Sequence, residues 1–204
     1  MTTYCKQNIV LIIPALNEEL GIAAVLKSLP PSIFSDIVVC DNGSTDKTAE
    51  IASSNGASVI FEPRRGYGSA CLCAISYLKN KNYPDPIDLV VFLDADHSDN
   101  PSDIHAILKP FDDKKVELVI GSRVLGESET DALLLHQRFG NLLATMLIRL
   151  FYGVRFTDLG PFRAIRWNTL LALNMEDIDF GWTVEMQVKA AKNKLVFVEV
   201  PVNY

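Results

Sequence analysis

Leu89-Val90-Val91-Phe92-Leu93-Asp94-Ala95-Asp96-His97 is the stretch from which the rest of the chain can be read. Five apolar residues without polar alternation describe a strand buried on both faces, as in the middle of a parallel sheet with helices on either side. Asp94 and Asp96 follow at its C-terminal end, two residues apart and therefore on one side of an extended backbone. Two carboxylates held that close repel each other and lose hydration unless a cation lies between them. In open α/β sheets the ligand crevice lies off the carboxyl ends of the strands. The stretch thus points to a divalent metal and a polyphosphate. The plain alternative is a polar loop in which Asp96 or Asp99 caps a helix starting near Pro101.

The chain around it alternates strand and helix patterns. Ile9 to Ile13 is a buried strand stopped by Pro14, and Glu18 to Leu29 has helical periodicity. Ile37 to Cys40 is a second strand that again delivers a carboxylate, Asp41, followed by Asn42-Gly43-Ser44-Thr45-Asp46. Gly43 permits a tight turn, Ser44 or Thr45 can cap the next helix, and Gly56 closes it. After a short strand at Val59 to Phe61, the loop Pro63 to Ala70 opens onto a helix reaching about Lys79. Its Gly66, Gly68 and two arginines could approach a phosphate, although two glycines give only the start of a dinucleotide fingerprint. Downstream come a helix from Pro101 to Phe111 and a strand at Leu118 to Ile120 ending in Gly121-Ser122-Arg123. Right-handed β-α-β connection would bring Asn17, Glu18, Asp41, Asp94, Asp96 and Arg123 to one edge of a single parallel sheet.

Ala132 to Tyr152 reads as a long helix whose wide apolar face (Leu135, Phe139, Leu142, Leu143, Met146, Leu147, Leu150) is expected to pack on the core, with a membrane surface as the alternative use. Arg138 and Arg149 fall on nearly the same side of it. A polar loop, Thr157 to Arg163, leads to a strand at Ala164 to Arg166. A helix at Gly181 to Asn193 and a last strand at Leu195 to Val200 complete the chain.

Composition narrows the function classes. With 204 residues, 49% of them hydrophobic, one domain spanning 1–204 is expected. Acidic residues exceed basic ones by 25 to 19 with no basic tract, which argues against a nucleic-acid partner. Cys5, Cys40, Cys71 and Cys73 lack paired C-x-x-C spacing and read as buried thiols of a reducing compartment. There is no signal-peptide pattern and no apolar run of spanning length. The expectation is a cytoplasmic protein with room for peripheral contact at the cytoplasmic membrane face.

Five motifs now stand in order: Ile13-Pro14-Ala15-Leu16-Asn17-Glu18-Glu19, Asp41 to Asp46, Arg65-Gly66-Tyr67-Gly68-Ser69-Ala70, Asp94-Ala95-Asp96 and Gly121-Ser122-Arg123. In order and spacing they resemble the family 2 glycosyltransferases, and within them the dolichyl- or polyprenyl-phosphate sugar transferase branch. The resemblance implies the α/β GT-A fold, a Rossmann-like, mostly parallel central sheet with helices on both faces. It implies a hexosyltransferase that takes a UDP- or GDP-sugar, with Mg2+ or Mn2+ held by Asp94 and Asp96. Pro14, Asn17, Glu18, Asp41, Asp46, Gly66, Gly68 and Asp94 would bind the nucleotide sugar, while Arg123 would face the phosphates or the acceptor. The second acid common in the family's D-D-G-S-T-D stretch is Asn42 here, and Ser98 stands where a metal-assisting Gln is often found. Family members usually continue into a basic segment beyond Val202-Asn203-Tyr204, so either a C-terminally truncated form or a natural short form is expected.

The chemistry follows on general grounds. A leaving nucleoside diphosphate needs a divalent cation and Arg side chains to stabilise its charge. An acceptor arriving from the opposite side inverts the anomeric centre. Asp158 and Glu185 are the remaining acids expected near the acceptor, against the plain alternative that Asp158 caps a turn and Glu185 pairs with a nearby Arg. A polyprenyl phosphate acceptor suits the arginines Arg65, Arg123, Arg138 and Arg163. A hydroxyl acceptor would need a base instead. His97 is either an extra ligand or only a neighbour of the metal site. Two readings compete: a nucleotidylyltransferase, which normally needs a Gly-rich basic loop where Pro14-Ala15-Leu16-Asn17 stands, and a non-catalytic nucleotide-sugar sensor. A homo-oligomer stays open.

Overall fold

The computed structural model describes residues 7–126 and 135–203, with side chains for all of these except 135–139. Seven strands form one sheet: β1 (Ile9–Ala15), β2 (Asp36–Asp41), β3 (Ser58–Phe61), β4 (Leu89–Phe92), β5 (Leu118–Ser122), β6 (Arg163–Arg166) and β7 (Phe197–Pro201). The helices are α1 (Ile22–Ser28), α2 (Thr48–Ser54), α3 (Tyr67–Asn80), α4 (Ile104–Leu108), α5 (Leu135–Tyr152), α6 (Trp167–Leu173) and α7 (Trp182–Lys192).

Strand alternation divides the core between the two faces of the sheet. Val10, Ile12, Val90 and Phe92 point into a layer closed by α3, α6 and α7 through Ala74, Leu170, Trp182 and Met186. Ile9, Leu11, Val91 and Leu93 point into the other layer, where Ile22, Val25, Ala52 and Ile107 of α1, α2 and α4 cover them. The architecture is therefore the mostly parallel α/β sheet with helices on both faces expected for GT-A.

The strand order is β3-β2-β1-β4-β6-β5-β7, and a single antiparallel strand makes the sheet mostly rather than wholly parallel. β6 runs antiparallel to both β4 and β5 and separates them, while the other pairings are parallel. Its N-terminal end thus lies at the edge where β1, β2, β4 and β5 have their C-terminal ends, bringing the loop 157–162 to the same place. Pro14 does not stop β1, which runs on to Ala15 beside β2. On the other flank β4 reaches only the level of Ile12, so the missing N–H of Pro14 interrupts no ladder there.

Other elements also differ from the sequence reading. The expected helix at 101–111 is three short pieces, with 3₁₀ turns at Pro101–Asp103 and Lys109–Asp112 flanking α4. Asn100, rather than Asp96 or Asp99, caps it by accepting from Ser102 N at 3.0 Å. α2 has neither Ser44 nor Thr45 as its cap; Asp46 accepts from Thr48 N at 3.0 Å. The helix α6 has no counterpart in the reading.

The largest difference concerns α5; residues 132–134 of the expected helix lie outside the described residues, as do Cys5 and the side chains of Leu135, His136, Arg138 and Phe139. Leu142, Leu143, Met146, Leu147 and Leu150 are 39–73% exposed, so this face is not core. The helix meets the body on its other side, through buried Thr145 and Ile148 and through Asn141, which accepts from Leu159 N and donates to Thr157 O. Among the described residues no helix is long and apolar enough to cross a membrane. Cys40 and Cys71 are buried free thiols and Cys73 is half-buried.

Candidate active site

At the carboxyl edge two loops are clipped together first. Asn17, in the left-handed region at φ 57°, accepts from Thr45 N at 2.8 Å, and its own N–H donates to Ser44 Oγ at 2.9 Å. Glu18 N donates to Thr48 Oγ1, Glu19 N to Asp46 Oδ2, and Ser44 N to Asp41 Oδ1. Asn17, Asp41 and Asp46 are in this way engaged in holding the frame, whereas Pro14 and Glu18 line a cavity of about 430 Å3. Its other walls include Asn42, Arg65, Gly66, Asp94, Asp96 and Asp179.

Asn42 explains the departure from the acid common at its position. Its amide donates to the carbonyls of Glu62 and Arg64 at 3.1 and 2.7 Å and accepts from Gly66 N at 2.8 Å. A carboxylate could make only the last of these bonds. Arg65 reaches across to Gly43 O at 3.2 Å.

Gly66 and Gly68 serve close packing of backbone on backbone. A Cβ on Gly68 would fall 2.0 Å from Asp177 O, and one on Gly66 2.1 Å from Ile178 O. The first N–H groups of α3 are already engaged: Gly68 N donates to Asp179 O and Ser69 N to Ile178 O. Gly68 is accordingly buried against the 177–179 loop, and of the two glycines it is Gly66 that lines the cavity.

Asp94 and Asp96 both line the first cavity. Asp94 accepts from Tyr67 Oη at 3.0 Å, and burial together with the charge of Asp96 pushes its carboxyl up to about 6 despite that bond. Asp96 is exposed, accepts from Ser98 N, and raises the carboxyl of Glu18, for which burial is the larger cause. His97 lies near Ser28 Oγ at 3.5 Å and lines neither this cavity nor the next. Asp99 is 2% exposed, and neither carboxylate oxygen has a hydrogen-bond partner. Burial first, then the charge of Asp94, pushes it up to about 7.

A second cavity of about 610 Å3 adjoins the first and shares Tyr67, Asp94 and Phe180 with it. Arg123, Gly140, Asn141, Pro161 and Thr183 are among its other walls. Asp158 lies outside it, fully buried, with its carboxyl held below the usual range despite burial by the Arg123 guanidinium, the Arg123 N–H and the Leu159 N–H. Glu185 also lies outside it. Its carboxylate accepts from the N–H groups of Glu176 and Asp177 and pairs with Lys189 at 2.7 Å, which fixes the 176–180 loop. Arg163 is fully buried and braces the carbonyls of Thr183, Leu159 and Gly160. The arginine side chains described in the cavity walls are thus Arg65 in the first and Arg123 in the second.

Sequence reasoning missed Tyr67 as the partner of Asp94, and it missed Asp179 and Phe180. The only sequence signal for the last two was an acidic-aromatic stretch just before a helix, Asp177-Ile178-Asp179-Phe180-Gly181.

The chain matches glycosyl transferase family 2 over residues 10–175. It is 32% identical over 202 residues to an uncharacterized glycosyltransferase of Mycobacterium tuberculosis, covering 96% of this chain and 84% of that protein. It is 30% identical over 215 residues to the UDP-N-acetylglucosamine–dolichyl-phosphate N-acetylglucosaminyltransferase of Methanococcus voltae, covering 95% and 84%. Among solved structures, glucosyl-3-phosphoglycerate synthase of M. tuberculosis superposes with a TM-score of 0.77 at 21% identity, over 97% of this chain and 71% of that one. The same synthase with Mn2+, UDP and glucosyl-3-phosphoglycerate gives 0.74 at 20% identity and the same coverage.

Proposed function

The chain belongs to glycosyl transferase family 2, and from that premise we propose that it transfers a hexose, with inversion, from a UDP- or GDP-sugar to a polyprenyl phosphate. The observation that carries this reading is the pair of adjoining cavities, the second opening beside Gly140 and Asn141 at the start of the exposed apolar face of α5. A phosphate in the second cavity would have Arg123 in its wall, and its prenyl chain would leave along Leu142, Met146 and Leu150. Arg149 lies at the margin of that face, and no acidic residue occurs between 135 and 155, although the whole chain carries net charge −6. A basic, apolar helix face of this kind suits an anionic membrane surface at the interface.

The acids support a phosphate acceptor over a hydroxyl. Both oxygens of Asp158 are engaged with Arg123 and Leu159, and Glu185 is engaged with the 176–180 loop and Lys189, so neither is placed to take a proton from an acceptor. A phosphate needs no such base. The structural relative with UDP-glucose and phosphoglyceric acid bound also pairs a nucleotide sugar with an anionic molecule.

The donor set fits Mg2+ or Mn2+. Asp94 and Asp96 offer hard carboxylate oxygens, and among the described residues no cluster of three or more acidic, His or Cys side chains forms a closed cage. The remaining ligands would then be diphosphate and water, the usual arrangement for Mg2+. When bound, the cation supplies charge neutralisation for the leaving diphosphate. The chain's own part is to hold Asp94 through Tyr67, to wall the nucleotide with Pro14, Glu18, Asn42, Arg65 and Gly66, and to keep Arg123 at the acceptor side.

The deciding experiment incubates the protein with radiolabelled UDP- and GDP-hexoses, Mn2+ and a short-chain polyprenyl phosphate. Label should enter the lipid phosphate. Label appearing only in a neutral hydroxyl acceptor would overturn the acceptor assignment.

A further inference from the structure

We propose that Phe180 is the platform on which the transferred hexose lies, and that its ring selects sugar nucleotides over free nucleoside diphosphates; this rests on the donor-sugar reading above. A large apolar side chain in solvent is commonplace by itself. Leu20 and Phe61 are also exposed, and neither borders a cavity of the site. Phe180 differs in three respects.

The first is position. The two cavities have Tyr67, Asp94 and Phe180 in common. A sugar passing from a nucleotide in one to an acceptor in the other occupies their junction, so these three side chains are its surroundings. Tyr67 and Asp94 offer hydroxyl and carboxylate oxygens, and Phe180 offers an apolar face. Pyranose rings present both kinds of surface, C–H groups on a face and hydroxyls around the edge.

The second is rigidity. Glu185 takes the N–H groups of Glu176 and Asp177, and Asp177 Oδ1 accepts from Asp179 N at 2.8 Å. The carbonyls of Ile178 and Asp179 accept from Ser69 N and Gly68 N at the start of α3. On the other side the chain enters α7, whose Trp182 is buried against Phe92. The backbone bearing Phe180 is tied down on both sides, so its ring is presented at little entropic cost on binding.

The third is that the ring lacks cover. At 83% exposed, Phe180 forgoes burial that a core phenylalanine obtains. Covering it with a sugar face recovers apolar contact in the ligand-bound state, and apolar walls with a few convergent polar groups are what small-ligand sites use.

The test is calorimetric titration, in Mn2+, of the protein and of Phe180→Ala, Phe180→Leu and Phe180→Tyr. The probes are UDP, GDP, UDP-glucose, UDP-N-acetylglucosamine and GDP-mannose. For whichever sugar nucleotide the parent binds, Phe180→Ala and Phe180→Leu should weaken it on the order of ten-fold and Phe180→Tyr by less than about two-fold. The matching nucleoside diphosphate should stay within about two-fold throughout. Equal loss for the diphosphate and its sugar, or no loss for the sugar, overturns the platform. A parent that binds none of the probes overturns the donor reading itself, a result distinct from parent binding with an insensitive Phe180.

Discussion

Arg123 and Asp158 are joined three times: Nε to Oδ2 at 2.7 Å, Nη2 to Oδ1 at 2.8 Å, and the Arg123 backbone N–H to Oδ2 at 3.0 Å. The pair ties the end of β5 to the loop entering antiparallel β6, and it orients one wall of the second cavity. Removing Asp158 deletes both side-chain bonds to the Arg123 guanidinium and the bond to its backbone N–H. Asp158→Ala should therefore lose roughly 3–5 kcal/mol in urea unfolding at pH 7. Because Arg123 lowers the folded carboxyl below its unfolded value, this stabilisation is present above about pH 4 and fades as pH falls through the folded value. The gap between the parent and Asp158→Asn should narrow below about pH 4; a gap of constant size would refute the pairing as its source.

Asp99 has the opposite sign. Its folded carboxyl is raised to about 7, so folding disfavours its ionised form. The resulting cost grows from the unfolded value upward and is complete above about pH 7. Asp99→Asn should stabilise the metal-free protein at pH 8 by roughly 2–4 kcal/mol and leave it nearly unchanged near pH 4. Melting curves in chelator at the two pH values check this, and equal shifts at both would contradict it.

Asp96→Ala should abolish most of the Mn2+-dependent gain in nucleoside diphosphate affinity, since Asp94 alone cannot replace the cation's lost hydration, and without the cation the carboxylate and the diphosphate repel each other. Titrations with and without Mn2+ read the difference. An undiminished Mn2+ effect would remove Asp96 from the site.

Gly68→Ala should act through the loop opposite. A Cβ there would fall 2.0 Å from Asp177 O, so α3 and the 176–180 segment must part. We expect a stability loss of about 1–3 kcal/mol together with weaker sugar-nucleotide binding. Full binding in a destabilised variant would show that the loop does not shape the pocket.

The sheet and the Asp94/Asp96 corner were legible because their signals are local: an unbroken apolar run followed by two acids at a spacing of two. The topology of β6 was not. Arg163-Ala164-Ile165-Arg166 reads as a strand in either direction, and only its pairing with Leu89 to Phe92 and Leu118 to Ile120 sets the direction. Asp158 and Glu185 are visible in the sequence as acids, but their partners lie 35 residues away in one case and in a turn 8–9 residues back in the other. Periodicity identified the apolar face of α5, yet it cannot tell a face that meets the core from one that meets something else. Phe180 is marked only by the short acidic-aromatic stretch around it, since its placement depends on where the loop packs.

That α5 face gives the remaining prediction. Met146→Glu and Leu150→Glu, at exposed positions, should leave the melting temperature nearly unchanged. They should reduce co-sedimentation with vesicles of phosphatidylglycerol and phosphatidylcholine, and neutral vesicles should bind the parent less well. Equal partitioning of parent and variants would assign the face to another partner.

The antiparallel strand also sets an order of assembly. β5 is bonded in the sheet by β6 and β7, which are made after it, whereas β1, β2, β3 and β4 pair directly with one another. As the chain leaves the ribosome, the nucleotide floor has its neighbours as soon as Phe92 emerges. Arg123, although only 31 residues later, must wait for Arg163–Arg166 and Phe197–Pro201 before it has a sheet to stand on. Nascent chains arrested before Arg163 should hold β1 to β4 paired while still lacking Asp179 and Phe180 of the first cavity's wall, so the donor floor is laid before either cavity is closed.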